Sequence, residues 1–231
     1  MISTIDKFWV DGQCSDFWDL YCDTIIFPQS PEQITKDIRI PGREETLIEK
    51  EDSYVDIPIT ITAYVFDNHY NVNQLYSILR KAEILKTTYD GSIYYRVKKV
   101  MPIIPDYIGK GKTKLVITFM CSPFRYMNES SITLTEGGEI TNPTNYWSRP
   151  IFRIRGSGTI QLRVNDTTDP LMISNVENLV IIDSDRALAY DNEKKIYFTR
   201  GNFPLLPVGK STVYWDGNVT EVKVLPNWRW L

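Results

Sequence analysis

The chain has 231 residues, which is enough for one large all-β domain or for two domains of about 100 residues each. With 26 basic and 29 acidic side chains the net charge is −3, so no basic field is available to bind nucleic acid through its phosphates, and we expect no sequence-specific nucleic-acid partner. The three cysteines, Cys14, Cys22 and Cys121, form no C-x-x-C pair and leave an odd thiol, which disfavours a disulfide framework. We therefore expect free thiols in a protein made in a reducing cytosol.

No targeting or membrane segment is recognisable in the sequence. The stretch MISTIDKFWVDG lacks the basic region followed by an apolar region that marks a secretory signal. No apolar run approaches the ~20 residues that cross a bilayer. We therefore expect a soluble protein with no membrane partner.

The first 65 residues predict three strands. Residues 24–27 and 35–40 are β-prone, and Pro41-Gly42 predicts a turn after the second of them. Residues 44–52 are rich in acids and are interpreted as a solvated loop or edge segment. Residues 54–65 (YVDIPITITAYV) alternate, which predicts a half-buried strand with its pairing beginning near Pro58.

One helix is predicted, at residues 71–82, because four apolar side chains fall on one stripe there: Val72, Leu75, Ile78 and Leu79. Asn71 can serve as its N-cap. Residues 86–100 then predict a hairpin around Asp90-Gly91, a dipeptide typical of two-residue turns.

The middle of the chain, residues 114–150, predicts the junction between two β domains. Residues 115–121 form an apolar run, which Pro123 is expected to end because proline has no N–H for the ladder. A turn-rich polar zone follows, with one short β-prone interlude at 132–134. We predict domains at 1–130 and 131–231, with an inter-domain hinge marked by Pro123, Tyr126, Gly137 and Gly138.

The second half contains only β signals, with turns at intervals of roughly 8–12 residues, which favours a sandwich or barrel. Gly156-Ser157-Gly158 and Asp216-Gly217 are interpreted as turns between separate strands. The predicted strands are 151–154, 159–164, 171–174, 179–183, 188–190, 196–198, 213–215 and 219–224.

Catalytic and cofactor motifs are not recognisable. His69, the one histidine, lies in a polar loop, where a solvated role is favoured over that of a general base. Residues 109–113 (GKGKT) contain a GKT, but a phosphate loop needs glycine where Asp106 stands and a helix where a strand follows. The pair Asp183 and Asp185 is interpreted as turn chemistry rather than as a glycosidase pair. We predict no enzyme, no cofactor and no metal site.

Four tryptophans follow residue 146 and admit two interpretations: Trp147, Trp215, Trp228 and Trp230. Exposed rings could stack on sugars, which would make the chain a carbohydrate-binding module for host cell-wall sugars. The favoured interpretation is that these rings close the ends of a sandwich or lie in a contact with a partner protein.

Seven short segments, taken in order and with their spacing, carry a resemblance to a known family. They are FPQSP (27–31), PGR (41–43), TFMCSPFRY (118–126), SRPIFRIRGSG (148–158), LVIIDSDRALAY (179–190), RGNFPLLPVG (200–209) and VYWDGNVTEVKVLPNWRWL (213–231). In these segments the chain resembles the distal tail proteins of phages with long, non-contractile tails that infect Gram-positive bacteria.

The resemblance implies a mainly β fold in two parts. The first would be a β-barrel-like domain with one helix, related to tail-tube subunits, and the second a galectin-like β-sandwich. The first domain would form a hexameric ring. The ring would be a hub in the virion tail tip, assembled in the bacterial host cytoplasm.

The implied partners are other copies of the chain, the major tail (tube) protein above the ring and the tail-associated fibre or lysin protein below it. Baseplate or receptor-binding proteins are further candidates, and the genome would pass through the lumen. Some relatives hold receptor-binding proteins on an arm inserted in the sandwich. The turns in residues 150–231 are all short, which leaves no room for such an arm.

Overall fold

A computed structural model describes residues 6–27, 30–66, 72–109 and 111–231. The chain divides into two compact units, Met1–Arg125 together with Leu231, and Tyr126–Trp230. Each unit has its own cluster of buried apolar side chains. Almost all the regular structure is β, so the mainly β prediction is confirmed.

The first unit is built on one sheet, to which it contributes eight strands. Its elements are β1 Phe8–Val10, β2 Gln13–Cys14, a 3₁₀ helix Ser15–Trp18, β3 Tyr21–Ile26, β4 Gln33–Ile38, β5 Leu47–Tyr54, β6 Ile57–Phe66, α1 Val72–Leu79, β7 Ile84–Thr87, β8 Ile93–Val100, β9 Ile104–Gly109 and β10 Lys112–Met127. The strand order is β2-β1-β7-β8-β10-β6-β3, with β9 paired to β10. The strands β4 and β5 form a separate two-stranded ribbon.

The core of the first unit follows from the alternation in β6. Its buried side chains are Ile57, Ile59, Ile61, Ala63 and Val65, and they share one face because successive side chains point to opposite sides of a strand. Strand β10 lies antiparallel beside it and buries Leu115, Ile117, Phe119 and Cys121 on the same side. The predicted strand at 54–65 is therefore confirmed, with its start moved to Ile57.

The helix is shorter than the sequence predicts. Residues 80 and 81 form a turn after α1, closed by a hydrogen bond from the Ala82 amide to the Leu79 carbonyl. Leu75 and Leu79 are buried, but Ile78 is exposed, so the apolar stripe is narrower than predicted. The predicted N-cap, Asn71, lies outside the described residues. The hairpin at Asp90-Gly91 is confirmed, with Gly91 at a φ of +56°.

Pro123 does not end its strand, contrary to the sequence-based expectation. Strand β10 continues through it to Met127, sixteen residues in all. The pairing with β6 stops at Cys121, opposite Ile57, so Pro123 lies beyond that ladder and its missing N–H breaks no bond to β6.

The second unit is a sheet system organised on two long strands. Its elements are β11 Ile132–Leu134, β12 Gly138–Asn142, β13 Ile151–Val164, β14 Leu171–Val176, β15 Leu179–Asp183, β16 Leu188–Tyr190, β17 Thr199–Arg200, β18 Gly209–Leu225 and β19 Arg229–Trp230. The strand order is β11-β18-β13-β14-β17, and in addition β12 pairs with β18, β15 with β13, and β16 with β15. Its core includes Phe152, Ile154, Leu162, Val222 and Trp228.

Two predicted turns are wrong. Both segments lie inside continuous strands, opposite each other, where the pairing of the two strands is irregular. Gly156-Ser157-Gly158 lies within β13, and Asp216-Gly217 lies within β18. Gly156 pairs with Val219 and Ser157 with Asn218, with register shifts on either side. β-Bulges favour glycine because they need a small residue or a left-handed backbone, and two-residue turns favour glycine for the same reason. A bulge and a turn therefore give the same glycine pattern in the sequence.

The strand prediction at 196–198 is also wrong. Ile196 forms only an isolated bridge to Tyr190. The Asp191 side chain accepts amide hydrogen bonds from Glu193 and Lys195, which holds this stretch as a turn.

Candidate functional site

The four predicted hinge residues lie at two different places. Pro123 and Tyr126 lie in β10 and are buried, on either side of the division between the units at Arg125. Gly137 has a φ of +67°, and the pair Gly137-Gly138 connects β11 to β12. Both of those strands pair with β18, so the two glycines lie inside the second unit. Their role as a hinge stays a prediction.

The four predicted tryptophans do not form an exposed row of rings. Trp228 is buried in the second core, Trp215 packs against that core, and Trp147 and Trp230 are half-buried. None of the six tryptophans of the chain, all of which lie in the described part, is exposed. A stacking surface for sugars would need at least one open ring face.

Trp147 is covered by arginine instead. The Arg229 guanidinium carbon lies 4.3 Å from the Trp147 ring centre and 5.4 Å from that of Tyr146, and the two rings stack with centres 5.1 Å apart. The Arg149 guanidinium carbon lies 5.1 Å from the Trp147 centre. Cation–π contacts of this kind are strongest where water is excluded.

Arg229, which no sequence motif singled out, joins the members of this cluster. Its side chain is 5% exposed, and its Nε donates a 2.9 Å hydrogen bond to the Trp147 carbonyl. Burial lowers the pKa of the guanidinium, while the nearby Tyr126 and Asp185 act in the opposite direction. An arginine next to a tryptophan in sequence is the signal that could have found it, since guanidinium groups stack on aromatic faces.

The same cluster ties residues 227–230 to the rest of the second unit. The Asn227 amide donates to the Arg149 carbonyl at 2.9 Å, and the Met127 amide donates to the Trp228 carbonyl at 3.0 Å. These bonds give the W-R-W sequence a structural role. That its tryptophans close one end of a sandwich stays a prediction.

Among the residues considered for catalysis, those that the structure describes have structural roles. Asp183 is buried, and its Oδ1 accepts amide hydrogen bonds of 3.0 Å from Asp185 and Arg186, which fixes the turn after β15. Gly109 and Gly111 lie in the β9–β10 hairpin, so the GKT is a strand connection as predicted. His69 and Lys110 lie outside the described residues.

Among the described residues, no three His, Cys, Asp or Glu side chains are placed to hold a metal ion. Within the same residues, no helix has the length and apolar character that a membrane span requires. All three cysteines are free. Burial raises the pKa of the Cys22 thiol to about 11 and that of Cys121 to about 12, so both stay protonated and unreactive near neutral pH.

Glu129, just after β10, is the most perturbed carboxyl in the described chain. Its Oε2 is buried, and no described residue supplies a hydrogen bond to that atom. Desolvation raises the pKa of the carboxyl to about 7.

Strands β3 and β9 of the first unit have open edges, and its ribbon is exposed. In the described part of the chain, β3 pairs only with β6, and β9 pairs only with β10, so each leaves a row of backbone groups without a strand partner. The edges carry exposed apolar side chains, Tyr21 and Ile26 on β3 and Ile104, Tyr107 and Ile108 on β9. The β4–β5 ribbon is exposed over most of its length and presents Ile34, Leu47 and Ile48.

No protein-family model matches the chain, and no curated protein matches it in sequence. The structure, however, is similar to the crystal structure of the SPP1 Dit protein (gp 19.1), with a TM-score of 0.70. The match covers 96% of this chain and 98% of SPP1 Dit. The chain has the Dit fold. At 14% identity the likeness concerns the fold, and it confirms the fold that the sequence resemblance implies.

SPP1 Dit is described as a paradigm of the hub adsorption apparatus in phages that infect Gram-positive bacteria. Because the match extends over both units, the Dit fold includes the ribbon-bearing first unit as well as the second.

Proposed function

We propose that the chain is a structural component of a phage or prophage tail tip, where it forms a hexameric ring. The observation that carries the proposal is the end-to-end match to SPP1 Dit, a hub protein, over nearly all of both chains. The ring joins the tail tube to the tail-associated fibre or lysin protein and the baseplate.

The exposed edges of the first unit suit such a ring. Head-to-tail contacts between identical subunits need two different surfaces that meet and close. Strands β3 and β9 are two different open edges, and an open edge is ready to pair with another chain. The β4–β5 ribbon adds a third apolar surface, and we propose that it lies against the neighbouring subunit.

The charge of the chain suits a ring through which DNA passes. A net charge of −3 gives the chain no overall basic field that would hold the phosphate backbone by counterion release. Three free thiols, two of them buried, suit assembly in the reducing cytoplasm of a bacterial host.

The connections in the second unit suit a hub without an inserted arm. The longest stretches between its strands after β13 are residues 191–198 and 201–208. We propose that any receptor-binding protein attaches through another component of the tail tip.

Light scattering on the purified protein tests the ring. We expect a species with six times the 26.9 kDa of one chain, and six-fold rings in negative-stain images. A strict monomer at high concentration, together with the absence of the chain from purified particles, would exclude the proposed function.

A further inference from the structure

The outer face of the second unit carries a concave surface of about 540 Å³ that no role described above uses. Strands β13, β15 and β18 form it, and Ser131 lies at its margin. All its residues belong to one unit, so its ligand does not depend on ring assembly by the first unit.

The strand register arranges the charges of this surface in two rows. Arg153 lies between Ile181 on β15 and Lys223 on β18. Arg155, two residues along, lies between Leu179 and Glu221. Two residues along β13 in the other direction, Ile151 pairs with Leu225, so an aliphatic row lies about 7 Å from the row of Arg153 and Lys223, which is the spacing of alternate side chains in any extended peptide.

The surface has an excess of positive charge. Glu221 is its one carboxylate, and it binds Lys223 at 2.7 Å and Arg155 at 3.4 Å. The hydrogen bond from Lys223 lowers the pKa of Glu221, so this carboxylate is ionised at neutral pH. Three cations against one anion leave a net charge of about +2 on a chain whose total charge is negative.

Arg153 is the cation best placed to bind a ligand. Its Nη2 donates to the neutral side-chain oxygen of Asn192 at 2.9 Å, and no ion pair of the described residues includes it. A guanidinium so placed offers its remaining N–H groups to a carboxylate.

The apolar part of the surface decides the class of ligand. It is aliphatic, formed by Ile151, Leu179, Ile181 and Leu225, and no aromatic ring lines it. Sugars are usually held against aromatic faces, whereas aliphatic side chains of a peptide pack well against leucine and isoleucine.

We propose that this surface docks an extended peptide segment of a partner protein that carries acidic and aliphatic side chains in turn at every second residue, and so presents both on one face. The acidic side chains pair with Arg153 and Lys223, and the aliphatic ones cover Ile151, Ile181 and Leu225. Recognition of an extended segment by alternate side chains follows the repeat of the sheet beneath it.

Fluorescence anisotropy on the full chain tests this proposal. The probe is a fluorescein-labelled peptide of about eight residues in which glutamate and valine take turns at every second position, with serine between them, so that both kinds of side chain lie on one face. We expect saturable binding with a Kd of about 100 µM or tighter, weakened by added salt. Matched peptides with serine in place of every valine, or with lysine in place of every glutamate, should bind at least about tenfold more weakly.

Variants locate the binding. The double variant Arg153→Glu with Lys223→Glu should bind the glutamate–valine peptide about tenfold more weakly, and so should Ile181→Ser. If the double variant fails to fold, Arg153→Gln alone changes one exposed side chain and should weaken binding severalfold. The matched control is Lys194→Glu with Arg200→Glu, two exposed cations of the same unit outside the surface.

Four results would overturn the proposal. They are no saturable binding by the glutamate–valine peptide, equal binding by the glutamate–serine peptide, equal loss in the control variant, and binding of inorganic polyphosphate at this surface in place of the peptide. The last result would assign the surface to phosphate polymers.

Discussion

The Arg229 guanidinium carbon lies 4.3 Å from the centre of the Trp147 ring, and its Nε donates a hydrogen bond to the carbonyl of the same residue. A single side chain therefore holds both the ring and the backbone of Trp147, although the two residues are 82 positions apart in the chain. Since Arg229 is buried, both contacts form where water cannot compete for them.

We expect Arg229→Lys to destabilise the second unit by about 2 kcal/mol, because lysine cannot stack as a planar group and donate through a fork at once. Urea unfolding followed by tryptophan fluorescence measures the loss. Arg163→Lys is the control, since Arg163 lies 4.8 Å from the Tyr214 ring but is exposed. An equal loss in both variants would mean that burial of Arg229 adds nothing.

Glu129→Gln should change how stability depends on pH. The folded-state pKa of Glu129, about 7, lies above its ordinary value of 4.5, so the protonated form favours folding. Its contribution is full below about pH 4.5 and is lost as the pH rises through 7. The glutamine variant should therefore exceed the wild type at pH 8 by about 1 kcal/mol, a value reduced for partial exposure.

Denaturation midpoints of both proteins between pH 5 and pH 8 measure this difference. Glu136→Gln removes the same charge from an exposed position and separates burial from net charge. A constant offset between wild type and Glu129→Gln at every pH would contradict the assignment.

Gly156 and Gly217, which lie where the pairing of β13 with β18 is irregular, should tolerate no side chain. A Cβ on Gly156 would lie 2.4 Å from the Asn218 carbonyl oxygen, and one on Gly217, where φ is +116°, would lie 2.5 Å from the Thr159 carbonyl oxygen. We expect Gly156→Ala and Gly217→Ala to cost about 2–3 kcal/mol each.

Gly158 is the control that distinguishes a steric clash of the added Cβ from strain in the backbone conformation. Its φ is +83°, but a Cβ there would meet nothing within 4 Å. Gly158→Ala should therefore cost only about 1 kcal/mol. Thermal unfolding ranks the three variants, and a larger loss at Gly158 than at Gly156 would refute the steric explanation.

The apolar residues of the β4–β5 ribbon should affect assembly rather than folding. Leu47 and Ile48 are 49% and 58% exposed, so replacing both with serine removes little buried area from a single chain. If the ribbon lies against a neighbouring subunit, the double variant should shift the hexamer towards smaller species in light scattering, with an unchanged melting temperature.

Ile196→Ser with Phe198→Ser is the matched pair, at 67% and 78% exposure in the second unit. It should leave the hexamer intact. Loss of the hexamer in both double variants would contradict the proposal that the ribbon lies against the neighbouring subunit.

Sequence patterns predicted those parts of the fold in which local and long-range preferences agree. Ile57, Ile59 and Ile61 alternate, and their strand lies in the sheet with that face buried. Asp90-Gly91 turns the chain where predicted. In both places the residue pattern is typical of one kind of local structure.

The predictions failed where a residue type has two common uses. Gly156 and Gly217 could mark turns or bulges, and the pairing of β13 with β18, not visible in either segment alone, decides for bulges. Pro123 is tolerated because the β6 ladder ends two residues earlier.

Of the candidate sites, the tryptophans were identifiable by type, but their burial was not. Arg229 was missed because its partner Trp147 is distant in sequence. The concave surface was missed because its cations come together only through the register of three strands.

The register between β13 and β18 also limits how these strands can change in length. Thr220 is one residue in excess on β18, and further along residues 158–160 of β13 lie opposite Gly217 alone. A one-residue insertion or deletion at either place would turn every following side chain to the other face of its strand. Length changes in these two segments of homologous proteins should therefore occur together, as compensating pairs, or be absent.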